Sequence, residues 1–214
     1  MHAFLFDLDG TLVDSRVDIA ASANFARQAV GLAPRPQEEI FAFIGEGAER
    51  LIERTLGPEH SARVPEALAA WREHYERHML DHTRPYEGVI EALELLDGPR
   101  AIVTNKPGPS ARQLVRELGL DRLCPVVVGG GDVPRKKPHP AAVRLALSKL
   151  GEIGSAVLVG DSAIDAATAR AADIAFVGVL WGLGTREEIE RAGGTRFVER
   201  ASELSAACRA ALER

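Results

Sequence analysis

The segment Asp7-Leu8-Asp9-Gly10-Thr11 directly follows a short apolar stretch at residues 3–6. The apolar stretch predicts a buried β-strand, and Gly10 allows the chain to turn sharply where that strand ends. After such a turn, the carboxylates of Asp7 and Asp9 can face one cavity. Paired carboxylates can hold a hard cation, share a proton, or divide nucleophilic and acid–base roles. The alternative is a pair of acids that form a turn or cap a helix.

Apolar stretches of strand length recur along the chain and alternate with segments of helical period. The further strand candidates are residues 100–104, 125–128, 156–160 and 174–179. Helical patterns between them cover residues 111–118, 141–150 and 164–172. This alternation predicts the α/β class, with a doubly wound parallel sheet in a Rossmann-like core. Ligands bind such sheets at the carboxyl ends of the strands.

The region between residues 14 and 83 lacks a strand pattern and predicts several helices. Ser15 is the candidate N-cap of the first helix, and Asp18 stands at its third position. A long amphipathic helix is predicted over residues 62–80. On its apolar face are Leu68, Trp71, Tyr75 and Met79, a stripe that favours core packing over ligand binding.

An all-helical segment inserted after the first strand predicts a cap domain that acts as a lid. We predict a cap over residues 14–83 and a catalytic core formed by residues 1–13 and 84–214. The hinges are expected near residues 13–15 and 82–85, where the chain leaves and rejoins the core.

Three further strand ends carry polar side chains. Thr104 and Asn105 follow the second strand, where a hydroxyl and an amide can bind phosphate oxygens or cap a helix. Lys136-Lys137-Pro138 follows the third strand, where a lysine can reach the cleft or be solvated. Asp161 and Asp165, four residues apart on one helix face, follow the fourth strand. Acids gathered at one sheet edge are costly unless a divalent cation neutralises them.

With these four motifs in this order, the chain resembles the haloacid dehalogenase superfamily, in its phosphatase branch with a helical cap. The resemblance implies that Asp7 attacks phosphorus, and that Asp9 protonates the leaving oxygen and later deprotonates water. It also implies that Thr104 and Lys137 hold the phosphoryl group.

The same resemblance implies a Mg²⁺ cofactor. Its ligands would be Asp7, the backbone carbonyl of Asp9, and Asp161, with Asp165 as a direct or indirect partner. Asp9 must be protonated for the first half-reaction, and acidic neighbours or partial burial are the expected causes.

Single residues argue for or against the other reactions of the superfamily. Dehalogenases of the superfamily generally lack an acid at the position of Asp9, so Asp9 argues against carbon–halogen cleavage. Phosphonoacetaldehyde hydrolases use a cap lysine, and residues 14–83 contain no lysine. A β-phosphoglucomutase-like isomerase and a non-catalytic binding module stay open as alternatives to a phosphatase.

The predicted cap carries a loop, Gly45-Glu46-Gly47-Ala48, that resembles the cap loop of phosphoglycolate phosphatase-like enzymes. It implies a small phosphorylated metabolite as substrate, with 2-phosphoglycolate leading and pyrophosphate, sugar phosphates and nucleotides open. The carboxylate of Glu46 would repel a second anion on such a substrate. Arg50, one helical turn later, could offset that repulsion and bind the substrate, or both residues could lie on the surface.

Composition limits the partners of the chain. A net charge of −5 without a basic stripe argues against nucleic acid. No stretch approaches the roughly 20 apolar residues of a membrane span. Cys124 and Cys208 are expected to be free buried thiols, which suggests a cytoplasmic protein. The sequence leaves open whether the chain is a monomer or a homodimer.

Overall fold

The computed structural model describes residues 1–213 of the chain. Its strands are β1 His2–Phe6, β2 Val13–Asp14, β3 Arg84–Pro85, β4 Arg100–Pro107, β5 Val126–Gly130, β6 Ser155–Gly160, β7 Ala175–Val179 and β8 Phe197–Val198. Its helices are α1 Arg16–Ala29, α2 Gln37–Phe41, α3 Ala48–Leu56, α4 Val64–His78, α5 Val89–Glu94, α6 Gly108–Glu117, α7 Ala141–Leu150, α8 Ala163–Ala172, α9 Arg186–Arg191 and α10 Leu204–Leu212.

Six of the strands form one parallel sheet in the order β5-β4-β1-β6-β7-β8. Its middle strand β1 is buried from Ala3 to Phe6, which explains why that stretch is apolar without alternation. The chain order reverses beside β1, and the carboxyl end of β1 therefore lies at the point where such sheets bind ligands. The α/β prediction is confirmed.

Differences from the predicted elements occur where the sequence signal is short. The two-residue strand β8 and the short helices α5 and α9 were not predicted, because their periods are too brief to recognise. The long helix spans Val64–His78 rather than residues 62–80, since a 3₁₀ turn at Pro58–Arg63 comes before it and Pro65 is in its first turn.

A separate two-stranded antiparallel sheet joins the helical segment to the main sheet. Val13 pairs with Pro85, and Asp14 pairs with Arg84. Helices α1 to α4 lie between these strands in the chain. The division into core and cap at residues 14 and 83 stays our proposal, and this narrow double connection supports it.

Ser15 and Asp18 occupy the predicted N-cap and third positions of α1, but the predicted capping bonds are not formed. Ser15 makes no side-chain capping bond; its hydroxyl donates to Asp9 Oδ1 at 2.5 Å instead. The Asp18 carboxylate accepts the backbone N–H groups of His82 and Thr83 and the Thr83 hydroxyl at 2.7–3.1 Å. Both side chains therefore bond to residues outside α1 rather than to its own backbone. Asp18 in this way connects α1 to His82 and Thr83, where the chain leaves the helical segment.

The helical segment and the sheet share one hydrophobic core. The α4 stripe is buried as predicted, with Tyr75 fully covered and Trp71 only 3% exposed. Cys124 and Cys208 are free and buried, also as predicted. Within residues 1–213, no helix combines the length and apolar character needed to cross a membrane.

Candidate active site

The predicted strand-end residues meet at the carboxyl edge of the sheet. Asp7 follows β1, Asp161 follows β6, and Lys137 lies in the loop after β5. Thr104 and Asn105 lie in β4, where the register against β5 shifts between Val103 and Pro107. This irregularity takes their side chains out of the regular alternation of a strand.

Lys137 is a buried cation beside Asp7. Its Nζ lies 2.8 Å from Asp7 Oδ1 and 2.6 Å from Asp165 Oδ1. Burial alone would lower the pKa of Lys137, but the carboxylates of Asp165 and Asp7 outweigh burial and raise it above its usual range. Lys137 is therefore a fixed positive charge between two acids.

Asp7, Asp161 and Asp165 together carry more negative charge than Lys137 alone neutralises. Asp161 accepts hydrogen bonds from the Thr11 hydroxyl and the Leu183 N–H, both at 2.8 Å. Burial, reinforced by Asp165, raises the pKa of Asp161 to about 6. Burial also raises the pKa of Asp7 to about 8, although Lys137 opposes this change, while Asp165 and Asp161 add to it. Both carboxyls would hold their charge more readily beside a cation.

The donor set fits a hard divalent cation. Carboxylate oxygens of Asp7, Asp161 and Asp165 all lie within 4.8 Å of one another. Asp7 Oδ1 is buried and makes an ion pair, but no well-directed hydrogen bond. Gly10, with a φ of 86°, packs so closely that an added Cβ would overlap the Asp161 carboxylate. Oxygen-only ligands in a small cluster are typical of Mg²⁺ sites.

Asp9 has a different neighbourhood from the one that the sequence suggested. Its partners are the Ser15 hydroxyl and Lys106, whose Nζ donates to Oδ1 at 2.8 Å and to Oδ2 at 3.2 Å. Acidic neighbours or partial burial were expected; Asp9 is partly buried, but the group beside it is an ammonium rather than an acid. Lys106 was missed as a site residue, although a lysine at the end of an apolar strand was an available signal.

Lys106 is held from the cap side by an aromatic face. Its Nζ lies 4.6 Å from the ring centroid of Tyr75 in α4, and its side chain is 2% exposed. Burial lowers the pKa of Lys106, but Asp9 and Tyr75 raise it more, and the net change is upward. Helix α4 of the helical segment thus completes the surroundings of Asp9.

Asn105 was predicted to bind phosphate oxygens, but its side-chain amide is hydrogen-bonded to backbone groups instead. Its Nδ2 donates to the carbonyl oxygens of Gly45 and Lys137 at 3.0 and 3.1 Å, and its Oδ1 accepts the Lys137 N–H at 2.8 Å. The amide therefore joins the cap loop to the Lys137 backbone. Thr104 is buried, and its hydroxyl oxygen accepts the Lys106 N–H at 3.2 Å, which leaves the hydroxyl proton available to a ligand.

A small cavity lies between these residues and the helical segment. Its floor contains Asp7, Asp9, Thr104, Asn105 and Lys106; its apolar walls include Ile19, Ile44, Leu51 and Trp71. The space open to the centres of water molecules is about 40 Å³, against roughly 10–15 Å³ for a single water. Such a space favours a small ligand.

The cap loop touches the core through a glycine. Gly47 has a φ of 92°, and an added Cβ would lie 2.9 Å from the Asn105 carbonyl oxygen. Any other residue would therefore be strained and would push the loop away from β4.

The structure does not bring Arg50 to the cavity. Arg50 is exposed and pairs with Glu53 at 2.6 Å, and it borders an outer groove of the cap. Ala48 and Leu51 are the α3 residues that line the cavity, and at 100° per residue the side chain between them points elsewhere. Glu46 forms an ion pair with Arg54.

The fold and the site define an α/β protein that places two buried lysines and a cluster of aspartates at the switch point of a parallel sheet. The sequence model of the haloacid dehalogenase-like hydrolase family matches residues 4–179. The chain belongs to this family.

Similar proteins cover most of the chain. A phosphoglycolate phosphatase of Neisseria meningitidis is 34% identical over 205 residues, which are 92% of this chain and 87% of that protein. One from Chromobacterium violaceum is 38% identical over 193 residues, covering 85% of this chain and 86% of that protein. A crystal structure from Haemophilus somnus, described as a predicted phosphoglycolate phosphatase, has a TM-score of 0.87 at 28% identity and covers 94% of this chain and 95% of its own.

Proposed function

We propose that this protein is a Mg²⁺-dependent phosphatase that hydrolyses the phosphate monoester of a small metabolite, with 2-phosphoglycolate as the leading substrate. The observation that carries the proposal is Lys137, a buried ammonium in contact with both Asp7 and Asp165. It provides a phosphoryl group with a positive charge directly beside a carboxylate nucleophile. The names of the relatives support the choice of phosphoglycolate.

In the first half-reaction, a carboxylate oxygen of Asp7 attacks phosphorus. The ester P–O bond breaks, and the leaving oxygen takes a proton from Asp9. In the second half-reaction, Asp9 takes a proton from water, whose oxygen attacks phosphorus and releases phosphate from the aspartyl-phosphate. Phosphoryl transfer depends mainly on positioning and charge neutralisation, and Lys137 and the Thr104 hydroxyl provide both for the phosphate oxygens.

The residues that would hold Mg²⁺ are Asp7, the backbone carbonyl of Asp9, and Asp161. Asp165 lies close by, but its oxygens already bind Lys137 at 2.6 Å and the Ser162 hydroxyl at 2.5 Å. We therefore assign Asp165 to orienting Lys137. The bound cation would offset repulsion between the Asp7 carboxylate and an anionic phosphate.

The helical segment would act as the lid of the site. Asn105 bonds to the carbonyl of Gly45 across the boundary, and apolar side chains of α1, α3 and α4 cover the cavity. Closing such a lid excludes bulk water while phosphorus is reactive, and opening it exchanges ligands.

The test is hydrolysis of 4-nitrophenyl phosphate and of 2-phosphoglycolate in MgCl₂ and in EDTA. Turnover should require Mg²⁺ and should be lost in Asp7→Asn, which keeps the shape of the side chain without its charge. Near-normal turnover by Asp7→Asn, with correct folding shown by circular dichroism, would contradict the mechanism. Equal turnover in EDTA would contradict the metal requirement.

A further inference from the structure

Lys106 and Trp71 form a pair of donors on the leaving-group side of the cavity. Lys106 Nζ bonds directly to Asp9, the residue proposed to protonate the ester oxygen. A substrate atom one or two bonds beyond that oxygen would therefore lie near the Lys106 ammonium. Lys137, in contrast, contacts Asp7 and Asp165 on the phosphoryl side.

Trp71 brings a second donor from the cap. It lines the same cavity as Lys106, and its ring stacks on Tyr75 at 4.8 Å between centroids. Its Nε1–H is buried and has no hydrogen-bond partner among residues 1–213. A buried donor without an acceptor is unfavourable, and a ligand oxygen would satisfy it.

The two donors of this region favour a ligand with anionic oxygens. Lys106 Nζ donates to both oxygens of Asp9 and lies against the Tyr75 ring, so the feature that it offers to a ligand is its positive charge rather than a free N–H. The walls beside Lys106 and Trp71 are the apolar side chains of Ile19, Ile44 and Leu51. In such surroundings a charge-assisted hydrogen bond is stronger than on the surface. Arg50, the cation that the sequence suggested for this role, borders the outer groove instead.

We propose that Lys106, assisted by the Trp71 N–H, binds a carboxylate that the substrate carries within two bonds of its ester oxygen. This assignment rests on the proposed phosphatase function and names the substrate class: short phosphorylated hydroxy acids. A carboxylate further from the ester oxygen would have to pass the apolar walls, and a neutral end group would gain little from the charge of the ammonium.

Comparing two substrates of nearly the same size distinguishes a loss of carboxylate recognition from a loss of Asp9 function, because only the first depends on which substrate is used. They are 2-phosphoglycolate and 2-hydroxyethyl phosphate, in which a neutral hydroxymethyl group replaces the carboxylate. The measurement is kcat/KM for both with MgCl₂, in the wild type, Lys106→Met, Trp71→Phe and the control Lys149→Met. Lys149 is an exposed lysine on α7, so its variant makes the same charge change at a distance.

The wild type should prefer the acid. Lys106→Met should lose roughly 10- to 100-fold of that preference, the loss expected when a charged hydrogen bond is removed from a desolvated site. Trp71→Phe keeps an aromatic ring and should lose a smaller part of the preference, mainly through KM. Lys149→Met should leave the preference unchanged.

Other results would overturn the assignment. Equal losses on both substrates in Lys106→Met would make Lys106 only a positioning residue for Asp9. If Lys106→Met does not fold, Lys106→Gln takes its place, and an unchanged preference in Lys106→Gln and in Trp71→Phe would be sufficient to reject the site. A wild type that hydrolyses both esters equally well would contradict this inference while the phosphatase function stands. A wild type that hydrolyses neither ester, nor 4-nitrophenyl phosphate, would contradict the proposed function itself.

Discussion

Replacing Asp161 by asparagine should stabilise the metal-free protein at neutral pH and remove its stabilisation by Mg²⁺. Asp161 is 2% exposed, and burial together with Asp165 raises its pKa to about 6. Asparagine has nearly the same shape and no charge. It can keep both hydrogen bonds, because its oxygen can accept the Leu183 N–H and its amide can donate to the Thr11 hydroxyl oxygen.

The magnitude follows from the change in pKa between the two states. The carboxyl titrates at its ordinary value of 3.8 when unfolded and at about 6 when folded. At 1.36 kcal/mol per pKa unit, charging Asp161 in the metal-free fold costs about 3 kcal/mol. For a chain of this length, the variant should therefore melt roughly 6–12 °C higher than the wild type.

The sign of the pH dependence follows from proton binding. Between about pH 4 and 6 the folded protein holds a proton on Asp161 that the unfolded chain has released, so the free energy of unfolding of the wild type falls as the pH rises. Above pH 6 the contribution of Asp161 to the free energy of unfolding no longer changes with pH. Asp7, with a pKa of about 8, extends the fall toward pH 8. The advantage of Asp161→Asn should therefore be absent near pH 4 and complete above pH 6.

Urea denaturation followed by circular dichroism, from pH 4 to 8 in EDTA and in MgCl₂, measures these differences. Mg²⁺ should stabilise the wild type by mass action and the variant little. The control is Asp132→Asn. Burial opposes the low pKa of Asp132, but Arg112 and the Gly129 N–H outweigh it, so this variant should lose stability and keep its response to Mg²⁺. If Asp161→Asn were less stable than the wild type in EDTA at pH 7.5, the burial of charge would not be the dominant effect at this residue.

Three further predictions concern acid–base chemistry, the chain connection and the cap loop. Asp9→Asn should slow alkyl phosphates more than aryl phosphates in single-turnover phosphorylation, because aryloxides leave with little protonation; equal slowing would count against Asp9 as the acid. Asp18→Ala should lower the free energy of unfolding by about 2–4 kcal/mol, because it leaves buried donors without an acceptor. Burial raises the pKa of Asp18, but hydrogen bonds from Thr83 and His82 outweigh it and hold the pKa below 3.8, so the part of the loss that depends on the charge should diminish as the pH falls through that lowered pKa. Gly47→Ala should reduce kcat/KM by pushing the cap loop off β4, whereas Gly31→Ala, with a φ of 75° and open space around its Cβ, should affect only stability.

The sequence predicted the parts of this protein whose signals are local. A buried strand followed by an acid can be recognised within ten residues, and the alternation of strands and helices fixes which strand ends meet. Asp7, Lys137 and Asp161 could be placed together on that basis. Whether Asn105 faces a phosphate or another part of the chain could not be decided, because an amide bonds to whichever groups tertiary packing provides. Arg50 shows the same limit, since its direction depends on which side of α3 is buried.

The surroundings of Asp9 required the tertiary structure for a more specific reason. Ser15 was expected to cap its own helix, and Lys106 is at the end of an apolar strand, yet both side chains converge on Asp9 because β4 is irregular and Tyr75 covers Lys106 from α4. Ser15 and Tyr75 belong to the helical segment, and Lys106 belongs to the core. The Lys106–Asp9 ion pair lies within the core, but the Ser15 hydroxyl and the Tyr75 ring join it only when the two parts meet, so that closing the lid would change the surroundings of the proposed acid and base as well as access to the cavity.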